Sequence, residues 1–174
     1  VDQEQKSFLQ VSHRLLSRSV NGPTYPTLEG SLSMDNAITV LLGATGNLGG
    51  RIARALLKRG AKVRAIVRHS SAPDKVEDFR KRGAEIAEAD FNSVHEMTRA
   101  CSGGSCVISA LSGLRDVIVE TQTLLLDAAV KAGVPRFIPS DYSIDFTKLP
   151  PGTNRNLDLR REFRERLDKA PIAA

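Results

Sequence analysis

Short apolar runs alternate with longer amphipathic segments along most of the chain. The apolar runs predict five strands, over residues 37–42, 62–67, 85–90, 106–111 and 136–140. The segments that follow them repeat apolar positions at helical spacing and predict helices over residues 47–59, 73–82, 93–100, 117–132 and 156–169. The last apolar residues, 171–174, predict the beginning of a sixth strand.

Regular alternation of strand and helix with short connections predicts an α/β fold. Consecutive strands that are joined through helices run parallel, with right-handed crossovers that place helices on both faces of one sheet. The predicted strands are almost continuously apolar, as expected where both faces are covered. We therefore predict a doubly wound parallel sheet of about six strands, which binds its ligands at the carboxyl ends of the strands.

The first 33 residues differ from the rest of the chain. They combine Ser, Gln, Pro and Gly residues, and Met34 stands directly before the first predicted strand. We interpret residues 1–33 as a leader or linker, either a non-native remnant or part of a targeting peptide. Their acidic opening argues against a transit sequence. We expect the folded domain to occupy residues 34–174.

Composition and charge narrow the range of partners. Apolar residues make up 41% of the chain and charged residues 26%, which is typical of a soluble globular protein, and no apolar run has the length of a membrane span. The net charge of +5 is spread along a chain with 5% aromatic residues, which favours a phosphorylated cofactor over nucleic acid. Cys101 and Cys106 have neither zinc-site spacing nor a disulfide framework. We interpret both as buried apolar residues, and we expect a cytoplasmic location and no metal.

Three glycines at three-residue spacing follow the first predicted strand. Gly43 permits a tight turn, Gly46 lets the backbone approach a phosphate, and Gly49 lets the next helix pack closely on the sheet. The amino end of that helix presents unpaired N–H groups to an anion. Arg51 stands where a P-loop would continue with Lys-Ser/Thr, so the turn predicts a dinucleotide site rather than an ATP or GTP site. The alternative is a glycine turn that only packs.

The residue at the end of the second predicted strand distinguishes the two nicotinamide cofactors. An acidic residue there would bind the ribose 2′-hydroxyl of NAD(H), whereas this chain has Arg68, about twenty residues beyond the glycines. An arginine can hold a 2′-phosphate with two hydrogen bonds. The sequence therefore favours NADP(H) over NAD(H), with a solvated arginine at a strand end as the alternative.

The stretches GATGNLGGRIARALLKRG, VRAIVR, AEADF and RFIPSDYSIDF together resemble the NmrA-like branch of the atypical short-chain dehydrogenases/reductases. That branch has an NAD(P)-binding Rossmann fold and includes isoflavone-reductase-like enzymes, NAD(P)H:quinone reductases and non-catalytic cofactor-sensing regulators. The resemblance covers residues 36–174. It implies that these relatives continue past the sixth strand into a substrate-binding lobe, which the present sequence lacks.

The resemblance also implies a role for particular positions along the cleft. Asp90 and Phe91 would lie beside the adenine, and Arg68 would bind the 2′-phosphate. The residues implied to contact the pyrophosphate are Gly43, Thr45, Gly46, Asn47, Leu48 and Gly49. The residues implied near the nicotinamide ribose are Ala110, Leu111 and Ser112, and those implied to face the nicotinamide and substrate are Ser140, Asp141 and Tyr142.

The candidate catalytic residues depart from the family pattern. Short-chain dehydrogenases pair a tyrosine with a lysine four residues on, whereas Tyr142 is followed there by Phe146, and Lys148 comes two residues later. Isoflavone-reductase-like enzymes place a lysine early in the next helix, and the equivalent here is Arg160. Because an arginine stays protonated, it can polarise a carbonyl but is a poor proton donor. Tyr142 and Arg160 are the catalytic candidates.

These observations predict an NADP(H)-dependent oxidoreductase that transfers a hydride to a small quinone, enone or aromatic substrate. The alternative is a non-catalytic NAD(P)-sensing regulator, which the missing lysine favours. Nucleic-acid binding is supported only by the net charge. We expect dinucleotide and small-molecule partners, no membrane partner and no activity from this fragment alone, while oligomerisation stays open.

Overall fold

The computed structural model describes residues 37–141 and 143–174, so the predicted leader and Met34 lie outside the described residues. The strands are β1 (Ile38–Leu42), β2 (Lys62–Val67), β3 (Glu85–Glu88), β4 (Gly104–Ser109) and β5 (Phe137–Ile138). The α-helices are α1 (Asn47–Lys58), α2 (Pro73–Lys81), α3 (Val94–Cys101), α4 (Gln122–Lys131) and α5 (Arg155–Leu167). A π-helical segment, Asp116–Thr121, leads directly into α4, and Phe146–Lys148 form a 3₁₀ turn.

The five strands form one parallel sheet in the order β3-β2-β1-β4-β5. From β1 the chain first builds outward through β2 and β3, and then crosses to the other side of β1 to add β4 and β5. The predicted α/β fold with a doubly wound parallel sheet is therefore confirmed. The order reverses between β1 and β4, which is the position where such sheets bind ligands.

The C-terminal residues begin to pair with β5. Ala173 forms a single parallel bridge with Arg136, and the Phe137 N–H donates to the Ala173 carbonyl at 2.8 Å. This bridge stands where the sequence predicts a sixth strand.

Strands β3 and β4 end two residues earlier than the sequence predicts, because each stops where its neighbour turns away. Val67, the last residue of β2, pairs with Glu88, and Leu42, the last residue of β1, pairs with Ser109. The next N–H groups, of Ala89 and Ala110, still donate to the Val67 and Leu42 carbonyls at 3.0 and 2.9 Å. An apolar run continues past these points, but the hydrogen-bonded ladder does not.

The predicted helix over residues 117–132 is two segments of different geometry. The wider π-helical turn covers Asp116–Thr121, and regular α-helix begins at Gln122. The Thr121 and Thr123 hydroxyls donate to main-chain carbonyls of this region, at 3.0 and 2.6 Å. Such turns recur at functional sites, and this one lies beside the switch between β1 and β4.

Helices cover both faces of the sheet and enclose two main apolar clusters. The larger contains Met97, Leu125 and the ring pair of Phe137 and Phe163, whose centroids are 6.0 Å apart. Cys101 is buried in it, and this burial raises the pKa of its thiol to about 12. Cys106 is half-buried, and both cysteines are free. None of the helices in residues 37–141 and 143–174 has the length and apolarity that a membrane crossing requires.

Candidate functional site

A cleft of about 610 Å³ opens at the carboxyl ends of β1 and β4. Four separate stretches of the chain form its walls, and each follows a different strand. The sequence-predicted residues that line it are Gly43, Thr45, Gly46, Asn47, Leu48, Arg68, Ala110, Leu111, Ser112, Ser140 and Arg160. Val117, from the π-helical turn, also lines the cleft and was not predicted. Gly49, Asp90 and Phe91 support the cleft from behind its lining.

The glycine turn is shaped by two close backbone contacts. Gly43 has φ +90°, and a Cβ built on it would stand 2.6 Å from the Ala110 carbonyl oxygen. A Cβ built on Gly49 would stand 2.1 Å from the Gly43 carbonyl oxygen. Only glycine allows these approaches, which bring the amino end of α1 and the loop after β4 together on either side of Gly43.

The amino end of α1 can receive an anion. Gly46 is its N-cap and offers no side chain to cap the helix, and the first turn contains no acidic residue. Gly46, Asn47 and Leu48 are exposed. Because the first N–H groups of a helix have no intrahelical partners, they are available to a phosphate. Lys75 of α2 adds a positive charge nearby, with its Nζ 3.5 Å from the Thr45 carbonyl oxygen.

Arg68 is exposed at the end of β2, and its main chain is fixed. Its N–H donates to the Ser71 hydroxyl at 3.0 Å, and the Ser71 N–H donates back to the Arg68 carbonyl at 2.9 Å. Its guanidinium lies over the ring of Phe91, 4.4 Å from the centroid. An exposed, fixed guanidinium at this position is suited to a phosphate group.

His69 lies between two carboxylates on neighbouring elements. Its Nδ1 is 3.3 Å from Glu88 Oε2, and its Nε2 is 3.5 Å from Glu96 Oε2. These contacts, first with Glu88 and then with Glu96, raise the pKa of His69 above its usual value. The contacts join the end of β2 to β3 and to the first turn of α3.

Asp90 is engaged within its own turn. Its carboxylate accepts the Asn92 main-chain N–H at 3.0 Å, and its own N–H donates to Glu96 Oε2 at 2.9 Å. The Asp90 N–H is the main reason that the pKa of Glu96 is lowered. The turn thereby fixes Phe91, which is the next residue.

Ser140 is a buried link between the loops after β4 and β5. Its hydroxyl donates to the Leu111 carbonyl at 2.5 Å, and its N–H donates to Gln122 Oε1 at 2.8 Å. Gln122 is fully buried, and its Nε2 donates to the Ile118 carbonyl at 2.9 Å. Sequence reasoning missed Gln122, whose one signal is a polar residue at an apolar position of the predicted helix.

Replacing Gln122 by leucine should lower the free energy of unfolding by about 1–3 kcal/mol, because the Ser140 N–H would be left buried without a partner. The midpoint of urea unfolding measures this change. Thr123→Val is the matched control, since it removes one partly buried hydroxyl from the same helix and leaves the Ser140 N–H paired. An unchanged midpoint for Gln122→Leu would contradict the assigned role.

Arg160 brings the one charged side chain of α5 that lines the cleft, and Asp141 stands close to it. Arg160 donates through Nη1 to the Asn156 carbonyl at 2.8 Å, while its Nε is buried without a hydrogen-bond partner among the described residues. Burial raises the pKa of Asp141, and the charges of Arg160 and Arg164 oppose that rise. Arg160 can therefore direct an N–H at a ligand oxygen, but it cannot exchange a proton. Tyr142, the other catalytic candidate, lies outside the described residues.

The remaining arginines of α5 form the ion pairs that a solvated helix face predicts. They pair with carboxylates on the same helix, as Arg161–Asp158, Arg164–Asp168 and Arg166–Glu162. Two ties to other segments were not predicted. Arg161 also donates to the Phe146 and Leu149 carbonyls, at 2.6 and 2.7 Å, and Arg115 pairs with Glu162. These ties hold α5, and with it Arg160, against the cleft.

Among the His, Cys, Asp and Glu side chains that the structure describes, no group of three or more is placed to hold a metal ion. The chemistry available to the cleft from described residues is therefore the binding of phosphates and the polarisation of an oxygen. The cofactor and catalytic roles of the individual residues stay predictions.

Comparison with known proteins gives consistent matches. A family model described as the NmrA-like family matches residues 34–152. Pinoresinol reductase 1 of Arabidopsis thaliana is 33% identical over 145 residues, which are 76% of this chain and 45% of that protein. The bifunctional pinoresinol-lariciresinol reductase of Linum usitatissimum is 30% identical over 149 residues, which are 80% of this chain and 47% of that protein.

A solved structure of AtPrR2 with NADP+ and (+)pinoresinol matches with a TM-score of 0.69 and 30% identity, over 79% of this chain and 47% of that one. The chain thus spans about half the length of the relatives that it matches.

Proposed function

This chain belongs to the NmrA-like family, and we propose on that premise that it is the cofactor-binding part of an NADP(H)-dependent oxidoreductase. The observation that carries the proposal is that one cleft joins the glycine turn, Arg68 and Arg160. A dinucleotide needs an anion site, a second phosphate site and an open end for its reactive ring, and these three features lie in that sequence along the cleft.

The proposed cofactor is NADP(H). The uncapped amino end of α1 would hold the pyrophosphate, and Arg68 would hold the 2′-phosphate, with Lys75 as a further positive charge. The relative AtPrR2, at 30% identity, has been solved with NADP+ bound. When bound, the cofactor supplies a hydride. The residues of this chain would orient it through Gly43, Ala110 and Ser140.

The proposed substrate is a small quinone, enone or aromatic compound. Relatives at 30–33% identity are named for the reduction of pinoresinol and lariciresinol, which supports an aromatic substrate class. Arg160 would donate a hydrogen bond from its unpartnered Nε to an oxygen of the substrate and stabilise the negative charge that hydride transfer leaves there. A role for Tyr142 as proton donor stays part of the proposal, as does a cytoplasmic location.

The test is NADPH binding and NADPH oxidation by the protein as its gene encodes it, with a panel of quinones, enones and lignans. We expect turnover with at least one acceptor. Arg160→Gln should lower kcat by about tenfold, the effect of one lost charge-assisted hydrogen bond in the transition state, and leave the NADPH Kd within about twofold of wild type.

Arg164→Gln is the matched control for Arg160, because Arg164 is on the same helix and does not line the cleft. Tight NADPH binding without turnover on any acceptor would replace the oxidoreductase with a cofactor-sensing regulator. Failure to bind NADPH would overturn the proposal entirely.

A further inference from the structure

Arg68 and Phe91 form a stacked pair at the edge of the cleft. The Arg68 side chain is exposed, whereas Phe91 is only 7% exposed and belongs to the larger apolar cluster. The Arg68 guanidinium carbon stands 4.4 Å from the centroid of the Phe91 ring, a distance at which a cation is attracted to an aromatic face.

The ring is the main support of this guanidinium. Within residues 37–141 and 143–174, no hydrogen bond or ion pair to the Arg68 guanidinium is observed, and its fixed contacts are those of the main chain with Ser71. A free arginine side chain samples many rotamers, and a ligand that binds it must offset the entropy lost when it becomes ordered. Stacking on a buried ring restricts those rotamers before a ligand arrives.

Phe91 is itself held from two sides. Its ring packs in the apolar cluster, and the preceding Asp90 N–H is bonded to the Glu96 carboxylate at 2.9 Å. The Arg68 main chain and the Phe91 ring are thus both fixed before any ligand binds. Stacking uses the face of the guanidinium and leaves its N–H edges free, and those edges form the bidentate contacts with a phosphate.

We infer that Phe91 is a positioning residue for cofactor specificity, because its ring orders Arg68 for the 2′-phosphate of NADP(H). This inference rests on the proposed function, since it requires NADPH to bind in the cleft. NADH has no 2′-phosphate and draws little on Arg68. The contribution of Phe91 therefore falls on the ratio of the two affinities and not on dinucleotide binding as a whole.

The experiment measures the Kd of NADPH and of NADH for wild type, Phe91→Leu and Phe91→Met by fluorescence titration. Both substitutions remove the ring and keep an apolar side chain, and methionine replaces more of the lost volume if leucine impairs folding. We expect the NADPH Kd to rise about twofold to fivefold, the value of an exposed cation–π contact, with the NADH Kd unchanged within error.

Two controls separate specificity from stability. Phe163→Leu removes another buried ring from the same apolar cluster and should leave the ratio of the two Kd values unchanged. In an Arg68→Ala background, Phe91→Leu should no longer alter the ratio, because the side chain that the ring positions is absent.

Three outcomes would overturn the inference. Equal losses for NADPH and NADH would make Phe91 a structural residue only. A gain in affinity for both would mean that the stacked Arg68 covers the adenine position. A changed ratio in the Arg68→Ala background would show that Phe91 acts independently of Arg68. Failure of wild-type protein to bind NADPH is a different result, and it would sink the proposed function.

Discussion

Gly49→Ala should weaken NADPH binding by at least about tenfold and destabilise the fold, although it adds one methyl group far from the reactive end of the cleft. The new Cβ would stand 2.1 Å from the Gly43 carbonyl oxygen, and real Cβ atoms essentially never lie closer than 3.0 Å to a neighbour. The helix and the turn must therefore separate by about 0.9 Å.

That separation would disturb both partners of the proposed pyrophosphate. Moving α1 shifts its first N–H groups, and moving Gly43 shifts the loop after β4, because a Gly43 Cβ position is only 2.6 Å from the Ala110 carbonyl. A charge-assisted hydrogen bond contributes about 1.5–3 kcal/mol, so the loss of one accounts for about a tenfold or larger loss of affinity. Overpacking of this kind destabilises a fold by about 1–3 kcal/mol.

Gly50→Ala is the matched control, one residue further along the same helix. Its Cβ would stand 3.2 Å from the Ala44 carbonyl, a tight contact that a small shift relieves, and alanine favours helix by about 1 kcal/mol over glycine. NADPH titration and thermal unfolding of both variants decide the matter. If Gly49→Ala binds NADPH as tightly as Gly50→Ala does, the close approach of α1 to the turn is not what builds the phosphate site.

The residues of the glycine turn could be found from the sequence because their requirements are local. A strand, a turn with φ > 0 and a helix start lie within a few residues of each other, so spacing alone identifies Gly43 and Gly49. The same holds for Arg68, whose position follows from where β2 ends. These residues lie where the carboxyl ends of parallel strands meet, as the α/β alternation predicts.

Gln122 could not be found in the same way, because its role depends on residues distant in sequence. Its side chain joins Ile118, one turn away, to the Ser140 main chain, eighteen residues away. Periodicity also cannot separate a π-helical turn from an α-helix, and so Val117 was placed in a regular helix and not at the cleft. Phe91 was expected beside the adenine from the resemblance, but its contact with Arg68 depends on how two neighbouring strands end.

Arg68→Ala should weaken NADPH binding by about 10- to 100-fold and NADH binding by less than about twofold. The guanidinium is exposed, its main chain is fixed by Ser71, and its side chain lies over the Phe91 ring with its donors free. The 2′-phosphate is the only group by which the two cofactors differ, so an arginine that binds it must affect one affinity and not the other.

Charge and geometry can be separated at this position. Arg68→Lys keeps the positive charge but loses the planar pair of donors and the favourable stacking on Phe91, so its NADPH affinity should fall between those of wild type and Arg68→Ala. Lys58→Ala removes an exposed charge at the opposite end of α1 and controls for the change in net charge. NADPH binding by wild type should also weaken more steeply with added salt than binding by Arg68→Ala.

The measurement is the ratio of the NADPH and NADH dissociation constants for the four proteins at two ionic strengths. Equal losses for both cofactors in Arg68→Ala would remove Arg68 from the 2′-phosphate site and leave Lys75 as the nearest candidate cation. A preserved preference for NADPH in Arg68→Lys, at the wild-type level, would mean that the site reads charge alone. The stacked geometry on Phe91 would then have no part in choosing the cofactor, so this variant tests the origin of selectivity as well as its existence.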